Sequence, residues 1–200
     1  MAAARLGTTA LAAQSILTTV MAITFQLPFP IAIGASTRVA NLIGSRLPQA
    51  AKVAAMVAMV AATVVGLMNA TLLASLTSFI PSVFTRDVEV LDAAANALPV
   101  CAALQIFDAL ASNLNGILRG LGRQAIGSYV GLVAFYVVGL PISFGTGIGL
   151  EWGLPGLWTG PVTGLAVVSV VEAVFIYCTS WQRACEEATQ RDLQEGFVDE

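Results

Sequence analysis

Five long apolar segments divide this 200-residue chain and limit what it can fold into. They run from about Leu11 to Leu42, Ala50 to Ile80, Val90 to Leu118, Ile126 to Ile148 and Leu154 to Trp181. Each is near or above the ~20 residues that a helix needs to cross a bilayer. Charged residues make up only 10% of the chain. The sequence therefore predicts an all-α, polytopic transmembrane helix bundle of about five spans, covering residues 1–181.

The basic residues are distributed unevenly among the connections between these spans. Seven of the nine fall on one side of the predicted bundle, at Arg38, Arg46, Lys52, Arg119, Arg123, Arg183 and Arg191. Arg5 and Arg86 fall on the other side. Since basic residues are retained on the cytoplasmic face, this pattern predicts an external N-terminus and a cytosolic C-terminus. Residues 182–200 are then an acidic cytosolic tail.

Prolines interrupt the first span and mark the end of the second. Pro28 and Pro30 should kink the first span, because each removes a backbone donor and clashes with the preceding turn. A bent helix can change its bend as a transport pathway opens to either side, so this kink is a hypothesis about gating. The second span is predicted to end at Pro81.

A polar stripe runs along the third span. Its members follow one another at helical steps of four and three residues, at Cys101, Gln105, Asp108, Ser112, Asn115 and Arg119. An ionisable residue at membrane depth indicates function, and a buried carboxyl group can exchange a proton near neutral pH. Asp108 is therefore the candidate proton or cation site, with Gln105, Ser112 and Asn115 able to hydrogen-bond to it or to a ligand. The alternative is a structural acid paired with an arginine at a helix end or with a backbone group.

Other polar residues in the spans leave two interpretations open. Glu172 is either a cavity residue or a deep residue that reaches the headgroups. Gln14 either lines a substrate path or bonds to another helix, and Tyr136 either lines a cavity or packs in the core. Glycines repeat every four residues in the last two spans, at Gly127, Gly131, Gly156, Gly160 and Gly164. Since helices in lipid associate through close backbone approach, these predict contact seams rather than ligand sites.

Several classes of function are disfavoured by what the sequence lacks. It contains no histidine, and its three cysteines are scattered, so neither a His-based nucleophile nor a metal site is expected. The net charge of −3 argues against nucleic acid as a partner. The expected partners are the lipid bilayer and small organic molecules, with no cofactor beyond a coupling ion.

Five motifs, in chain order, resemble those of the MATE (multidrug and toxic compound extrusion) family. They lie at Ala35–Gly44, Phe84–Val90, Phe107–Gln124, Tyr136–Pro141 and Gly153–Trp158. Ala40 stands where the family usually has glycine. The motif from Phe107 to Gln124, an acid followed by G-x-x-R-G-x-G-x-Q, is similar to the eukaryotic pattern.

The resemblance implies both an architecture and an activity. MATE transporters have twelve spans in two six-helix lobes, and this chain looks like spans eight to twelve. It would form most of a C-terminal lobe, without that lobe's first span and without the N-terminal lobe, a possible partner. The family exports organic compounds, often cationic or amphipathic, in exchange for H⁺ or Na⁺. Asp108 matches the acid of the tenth span, and eukaryotic members are associated with H⁺, in the plasma membrane or in vacuolar and other internal membranes.

Three other functions compete with transport of organic compounds. A truncated, non-transporting membrane protein, or an interaction subunit that requires a partner lobe, would share the same motifs. A flippase for lipid-linked substrates would favour a more basic cavity than this stripe provides. A membrane-embedded enzyme is disfavoured, because no motif pairs Asp108 with Glu172 and no nucleophile elbow is present.

Overall fold

All five predicted spans are helical in the computed structural model, which describes residues 6–196, with side chains up to residue 190. The helices are α1 (Thr8–Phe25), α2 (Pro28–Gly44), α3 (Pro48–Ser75), α4 (Phe79–Phe84), α5 (Val88–Gly120), α6 (Gln124–Val133), α7 (Leu140–Phe144), α8 (Gly153–Cys178) and α9 (Trp181–Gly196). Two π-helical turns, Ala134–Gly139 and Gly145–Gly149, flank α7 and complete the fourth span. Arg5 and residues 197–200 lie outside the described residues.

The second span ends earlier than the sequence predicts. Helix α3 stops at Ser75, and Pro81 lies in the first turn of the short helix α4. A proline is tolerated there, since the first N–H groups of a helix have no intrahelical partner. Pro81 is therefore part of a new helix and does not terminate the span.

Helix α5 forms the centre of the bundle. It packs against α1, α2, α3 and α8, and it contributes buried residues to both large apolar clusters. One cluster surrounds Leu98 and Cys101, and the other surrounds Leu114 and Ile117. The polar stripe thus lies on the most enclosed helix of the bundle, where its side chains meet several neighbours.

The kink between α1 and α2 is built around a carbonyl group that Pro28 leaves without its usual donor. In a continuous helix the N–H of residue 28 would bond to the carbonyl of Thr24, but proline has none. The Leu27 N–H donates to this oxygen at 3.3 Å, and Asn69 of α3 donates to it at 3.1 Å. Asn69 also donates to Gln105 Oε1 at 3.2 Å, and Gln105 donates to Thr24 Oγ1 at 2.9 Å. The kink is therefore tied to α3 and α5 by a closed, buried polar network.

We expect Asn69→Ala to lower the free energy of unfolding by about 1–3 kcal/mol, because buried acceptors lose their donor. Denaturation of the purified protein in detergent measures this. Asn96→Ala is the matched control, since Asn96 is an exposed residue of α5. Equal stability of the two variants would show that the Asn69 bonds do not stabilise the kink.

Close contact between α8 and the fourth span confirms the predicted helix contact at three of the glycines. A Cβ atom on Gly156 would lie 2.7 Å from Gly147 Cα, and one on Gly160 would collide with the Gly139 carbonyl. A Cβ on Gly164 would lie 3.2 Å from Phe135 Cδ1. Gly131 differs, because a Cβ there would meet no atom within 4 Å.

Helix α9 joins the end of the bundle that carries most basic connections. Its residues Trp181, Ala184 and Cys185 are buried in the cluster around Leu114, and the helix packs on α2 and α3. Arg123, between α5 and α6, forms an ion pair with Glu187 at 3.0 Å. We call this end of the molecule the basic end. The predicted boundary at residue 181 stays a prediction.

Candidate functional site

An open cavity of about 440 Å³ lies between α5, α6 and α8. Its walls are mostly apolar, and Phe25, at the end of α1, contributes to them. It is lined by Phe25, Asp108, Ala111, Ser112, Asn115, Gly127, Ser128, Gly131, Leu132, Phe135, Tyr136, Leu165 and Val168. We call it the Asp108 cavity, because Asp108 is the only charged residue in this lining.

Asp108 is placed so that its carboxyl group can receive a ligand. It lies on α5 about 18 Å from the end of that helix at Gly120, at 1.5 Å per residue, which is deep within a hydrocarbon core about 30 Å thick. The side chain is half-buried. Among the described residues it has neither a hydrogen bond nor an ion pair. A carboxyl group in this setting favours a proton or an organic cation as its partner.

Ser112 and Asn115 continue the polar wall from Asp108 toward the basic end. Ser112 follows Asp108 by one helical turn, and Asn115 follows by two. The Asn115 amide nitrogen donates to the Ala111 carbonyl at 3.1 Å and to both carboxyl oxygens of Glu172, at 3.0 and 3.1 Å. Asn115 therefore connects the cavity wall to a second acid.

Glu172 lies behind this wall, and its side chain is fully buried. Gly127 of α6 covers the pair, since a Cβ there would collide with Asn115 Oδ1 and lie 3.3 Å from Glu172 Oε1. Glu172 does not line the Asp108 cavity itself and reaches it through Asn115. Its burial contradicts the alternative in which the side chain extends to the headgroups.

Tyr136 lines the Asp108 cavity, which agrees with the cavity-lining interpretation of this residue and not with packing in the core. It lies on the π-helical turn Ala134–Gly139, and its side chain is 66% exposed. π-Helical turns within α-helices are frequent at functional sites, because the extra residue redirects the side chains that follow.

The structure places Gln105 and Gln14 outside this cavity. The Gln105 side chain is hydrogen-bonded within the buried network with Thr24 and Asn69. Gln14 Oε1 accepts a hydrogen bond from Trp158 Nε1 at 2.9 Å, which is the interhelical alternative. Both side chains therefore join helices in this conformation. The polar stripe spans roughly 27 Å of helix, and it crosses several packing environments along that length.

The sequence did not indicate two further residues of the site. Phe25 reaches the cavity only because α1 ends beside α5, and Gly127 matters only because Asn115 and Glu172 meet beneath it. Phe25 carries no local signal that distinguishes it from other apolar residues of a span, and the Gly127–Gly131 repeat predicts a helix contact rather than a role at a ligand site.

No group of three or more His, Cys, Asp or Glu residues in the described part of the chain could hold a metal ion. A second groove, of about 360 Å³, lies between α3, α8 and α9. It is lined by Lys52, Met56 and Trp181 among other residues, and no acid lines it. The Asp108 cavity is therefore the candidate site, since it joins an acid to a mostly apolar lining.

Five helices that are long and apolar enough to cross a bilayer define an integral, multi-pass membrane protein. The MatE family model matches residues 1–144. The chain belongs to this family of multidrug and toxic compound extrusion transporters, and the resemblance seen in its motifs is confirmed.

Relatives and solved structures support the same assignment. The chain is 30% identical to multidrug and toxin extrusion protein 2 of Mus musculus over 92% of its length, which is 32% of that protein. It is 32% identical to Protein DETOXIFICATION 14 of Arabidopsis thaliana over 86% of its length, or 36% of that protein. The crystal structure of the eukaryotic MATE transporter AtDTX14 matches with a TM-score of 0.86 and 32% identity, over 90% of this chain and 40% of that one. The chain thus spans about a third of these curated relatives.

Proposed function

We propose that this chain forms part of a proton-coupled antiporter that exports small organic compounds, often cationic or amphipathic, across a membrane. The observation that carries the proposal is the Asp108 carboxyl group, which lies on a membrane-embedded cavity wall without a protein partner among the described residues. Family membership supports transport as the activity. The relatives named for multidrug and toxin extrusion support organic substrates.

Exchange follows if a proton and an organic cation compete for the Asp108 carboxylate. Asp108 can be protonated, paired with the organic cation, or charged and unpaired. An unpaired carboxylate at this depth has a large energetic cost, so the third state is the least stable. If the helices rearrange only when one partner is bound, outward movement of the cation is tied to inward movement of the proton.

The lining of the cavity suits substrates with both a positive charge and an apolar surface. Phe25, Phe135 and Tyr136 present aromatic rings beside the acid. Such rings attract cations through their π faces while they bury apolar groups. We assign Ser112 to hydrogen bonds with the ligand or with Asp108, and the Asn115 amide oxygen to hydrogen bonds with the ligand. Gln105 and Gln14 support the helices that form the cavity.

We propose H⁺ as the coupling ion and leave Na⁺ as the outcome to be tested against it. A single carboxylate suffices for a proton, whereas a metal cation requires several oxygen ligands. We also propose that the basic end faces the cytosol, which places the C-terminus there. The membrane would be the plasma membrane or a vacuolar or other internal membrane.

An efflux assay tests the proposal in cells that produce the native protein. Cells are loaded with a fluorescent organic cation, and its loss is compared with that in cells whose gene is deleted. We expect slower efflux and higher retention in the deletion strain. Equal efflux of a panel of organic cations, despite abundant protein in wild-type membranes, would refute the proposed substrate class.

We propose that the Pro28–Pro30 kink changes its bend during transport. Replacing both prolines with alanine at the chromosomal gene should lower efflux several-fold, because the restored N–H of residue 28 competes for the Thr24 carbonyl and straightens the span. Membrane insertion should be unchanged, as measured by extraction of membranes with alkali. Pro48→Ala is the control, since Pro48 is the first residue of α3. Wild-type efflux in the double variant would exclude the gating role.

The second candidate is a non-transporting membrane protein, or a subunit that is completed by another chain. The observation that favours it is the coverage of about a third of each relative. An antibody against the acidic C-terminal segment distinguishes the cases on native membranes. A band far above 20.7 kDa means that this sequence belongs to a longer transporter. A band near that mass means that transport requires a partner lobe.

A further inference from the structure

Glu172 is the one fully buried acid among the described residues, and it has no cation beside it. Its described partner is the Asn115 amide, which donates to both carboxyl oxygens. Helices α5, α6 and α8 enclose the pair. An isolated carboxylate in such a setting is costly unless a proton or a cation compensates its charge.

The charged and titratable groups on the surrounding elements do not compensate it. They are Glu89, Asp92, Cys101, Asp108 and Arg119 on α5, Arg123 before α6, Tyr129 on α6, Tyr136 on the π-helical turn, and Tyr177 and Cys178 on α8. Arg119 donates to Ser36 Oγ at 3.3 Å, and Arg123 pairs with Glu187. The described contacts of Glu172 therefore contain no positive group.

Glu172 lies nearer the basic end of the bundle than Asp108 does. At 1.5 Å per residue, Glu172 lies about 9 Å from the end of α8 at the basic end, and Asn115 about 8 Å from the end of α5. Asp108 lies about 10 Å farther along α5. Ser112 stands between Asp108 and Asn115 on the same face of the helix. Asp108, Ser112 and Asn115 thus lead along α5 from the cavity toward the basic end, and Glu172 of α8 lies beside Asn115.

We infer that Glu172 is a second proton-binding acid of this transporter, placed in series with Asp108 between the cavity and the basic end. This inference rests on the proposed function. A proton fits the site better than a metal cation, because a metal ion needs several oxygen ligands and some space. Here the carboxyl oxygens face an amide N–H, and Gly127 closes the remaining side.

Asn115 is a positioning residue in this arrangement. It accompanies Glu172 in both protonation states, because its amide can donate to the carboxylate or to the carbonyl oxygen of the neutral acid. Glu172 takes up a proton from the cavity wall and releases it toward the basic end, which restores the carboxylate, so no other co-reactant is needed.

Infrared difference spectroscopy of the native protein in membranes tests the inference. Protonated carboxyl groups have a C=O band that shifts in heavy water. The spectra of wild type, Glu172→Gln and Asp108→Asn are compared across a pH titration. We expect Glu172→Gln to lose one titrating, exchangeable band that Asp108→Asn retains. The glutamine keeps the acceptor for Asn115, so folding should be preserved.

Gly127→Ala and Gly131→Ala provide a matched pair of variants that leave the acid in place. A methyl group on Gly127 would displace the Asn115 amide, whereas one on Gly131 meets nothing within 4 Å. We expect the Glu172 band to shift in Gly127→Ala and to stay unchanged in Gly131→Ala. A Glu172→Gln spectrum identical to that of wild type would overturn the inference.

A Glu172 band that neither titrates nor exchanges would overturn it as well. These outcomes are distinct from failure of the proposed function, which is measured by efflux. If organic cations are exported through Asp108 while Glu172 carries no exchangeable proton, only this further inference is wrong.

Discussion

Replacement of Asp108 by asparagine is expected to abolish exchange of organic cations for protons. The amide keeps the size and hydrogen-bonding capacity of the side chain but neither ionises nor attracts a cation. A charge pair 4 Å apart contributes about 4 kcal/mol at an effective dielectric constant of about 20. Loss of cation affinity should therefore exceed about a hundredfold. The loss of exchange is measured as organic-cation efflux from cells that carry Asp108→Asn at the chromosomal gene.

Asp92→Asn is the matched control for this experiment. Asp92 lies on the same helix as Asp108 but is exposed near its start. Both variants lose one negative charge, and only Asp108→Asn should lose efflux at equal abundance in the membrane. If Asp108→Asn exports at the wild-type rate across the pH range, Asp108 is not the proton site.

Gly116→Ala is expected to disrupt the packing of α2 against α5. A Cβ on Gly116 would lie 2.5 Å from the Ala32 carbonyl oxygen and 3.3 Å from Ala32 Cα. These are backbone atoms, so the two helices must move apart. Overpacking of this kind costs about 1–3 kcal/mol of unfolding free energy. Thermal unfolding in detergent should show a clear loss of stability, and efflux should fall with it.

Gly34→Ala is the control for the glycine experiment. Gly34 lies on α2, and a Cβ there would meet no atom within 4 Å. Alanine is the better helix former by about 1 kcal/mol, so this variant should be as stable as wild type or more stable. If Gly116→Ala matched Gly34→Ala in stability, close approach of α2 and α5 at Gly116 would not be required.

The spans and the acid of the candidate site could be predicted from the sequence because both depend on local patterns. Apolar segments of sufficient length form helices in lipid wherever they lie in the chain. The helical spacing of Asp108, Ser112 and Asn115 alone places them on one face. The structure brings these three residues to one cavity, together with Tyr136.

The remainder of the stripe could not be predicted, since its surroundings depend on other helices. Gln105 shares the face of Asp108, yet it bonds to Asn69 and Thr24 in the network at the carbonyl group that Pro28 deprives of its helical donor. That outcome requires α1, α3 and α5 to meet at one level. The periodicity of polar residues within α5 does not indicate which other helices pack at that level.

The two acids illustrate the same limit. Glu172 could be predicted to lie within a span, but its pairing with Asn115 depends on how α8 packs against α5. Gly127 and Gly131 look equivalent in the sequence, yet only Gly127 lies in close contact with another helix. The two glycines have different surroundings in the bundle, and a spacing of four residues does not determine which of them faces another helix.

Coupled movement of protons and an organic cation tests the central claim most directly. Membrane vesicles from cells that produce the native protein are given a proton gradient at zero membrane potential, with a fluorescent cation on one side. We expect the cation to move against the proton flux, and an imposed cation gradient to drive protons in return. Both movements should disappear in Asp108→Asn vesicles. Cation movement that ignores the proton gradient, or that follows a sodium gradient instead, would contradict proton-coupled exchange at Asp108.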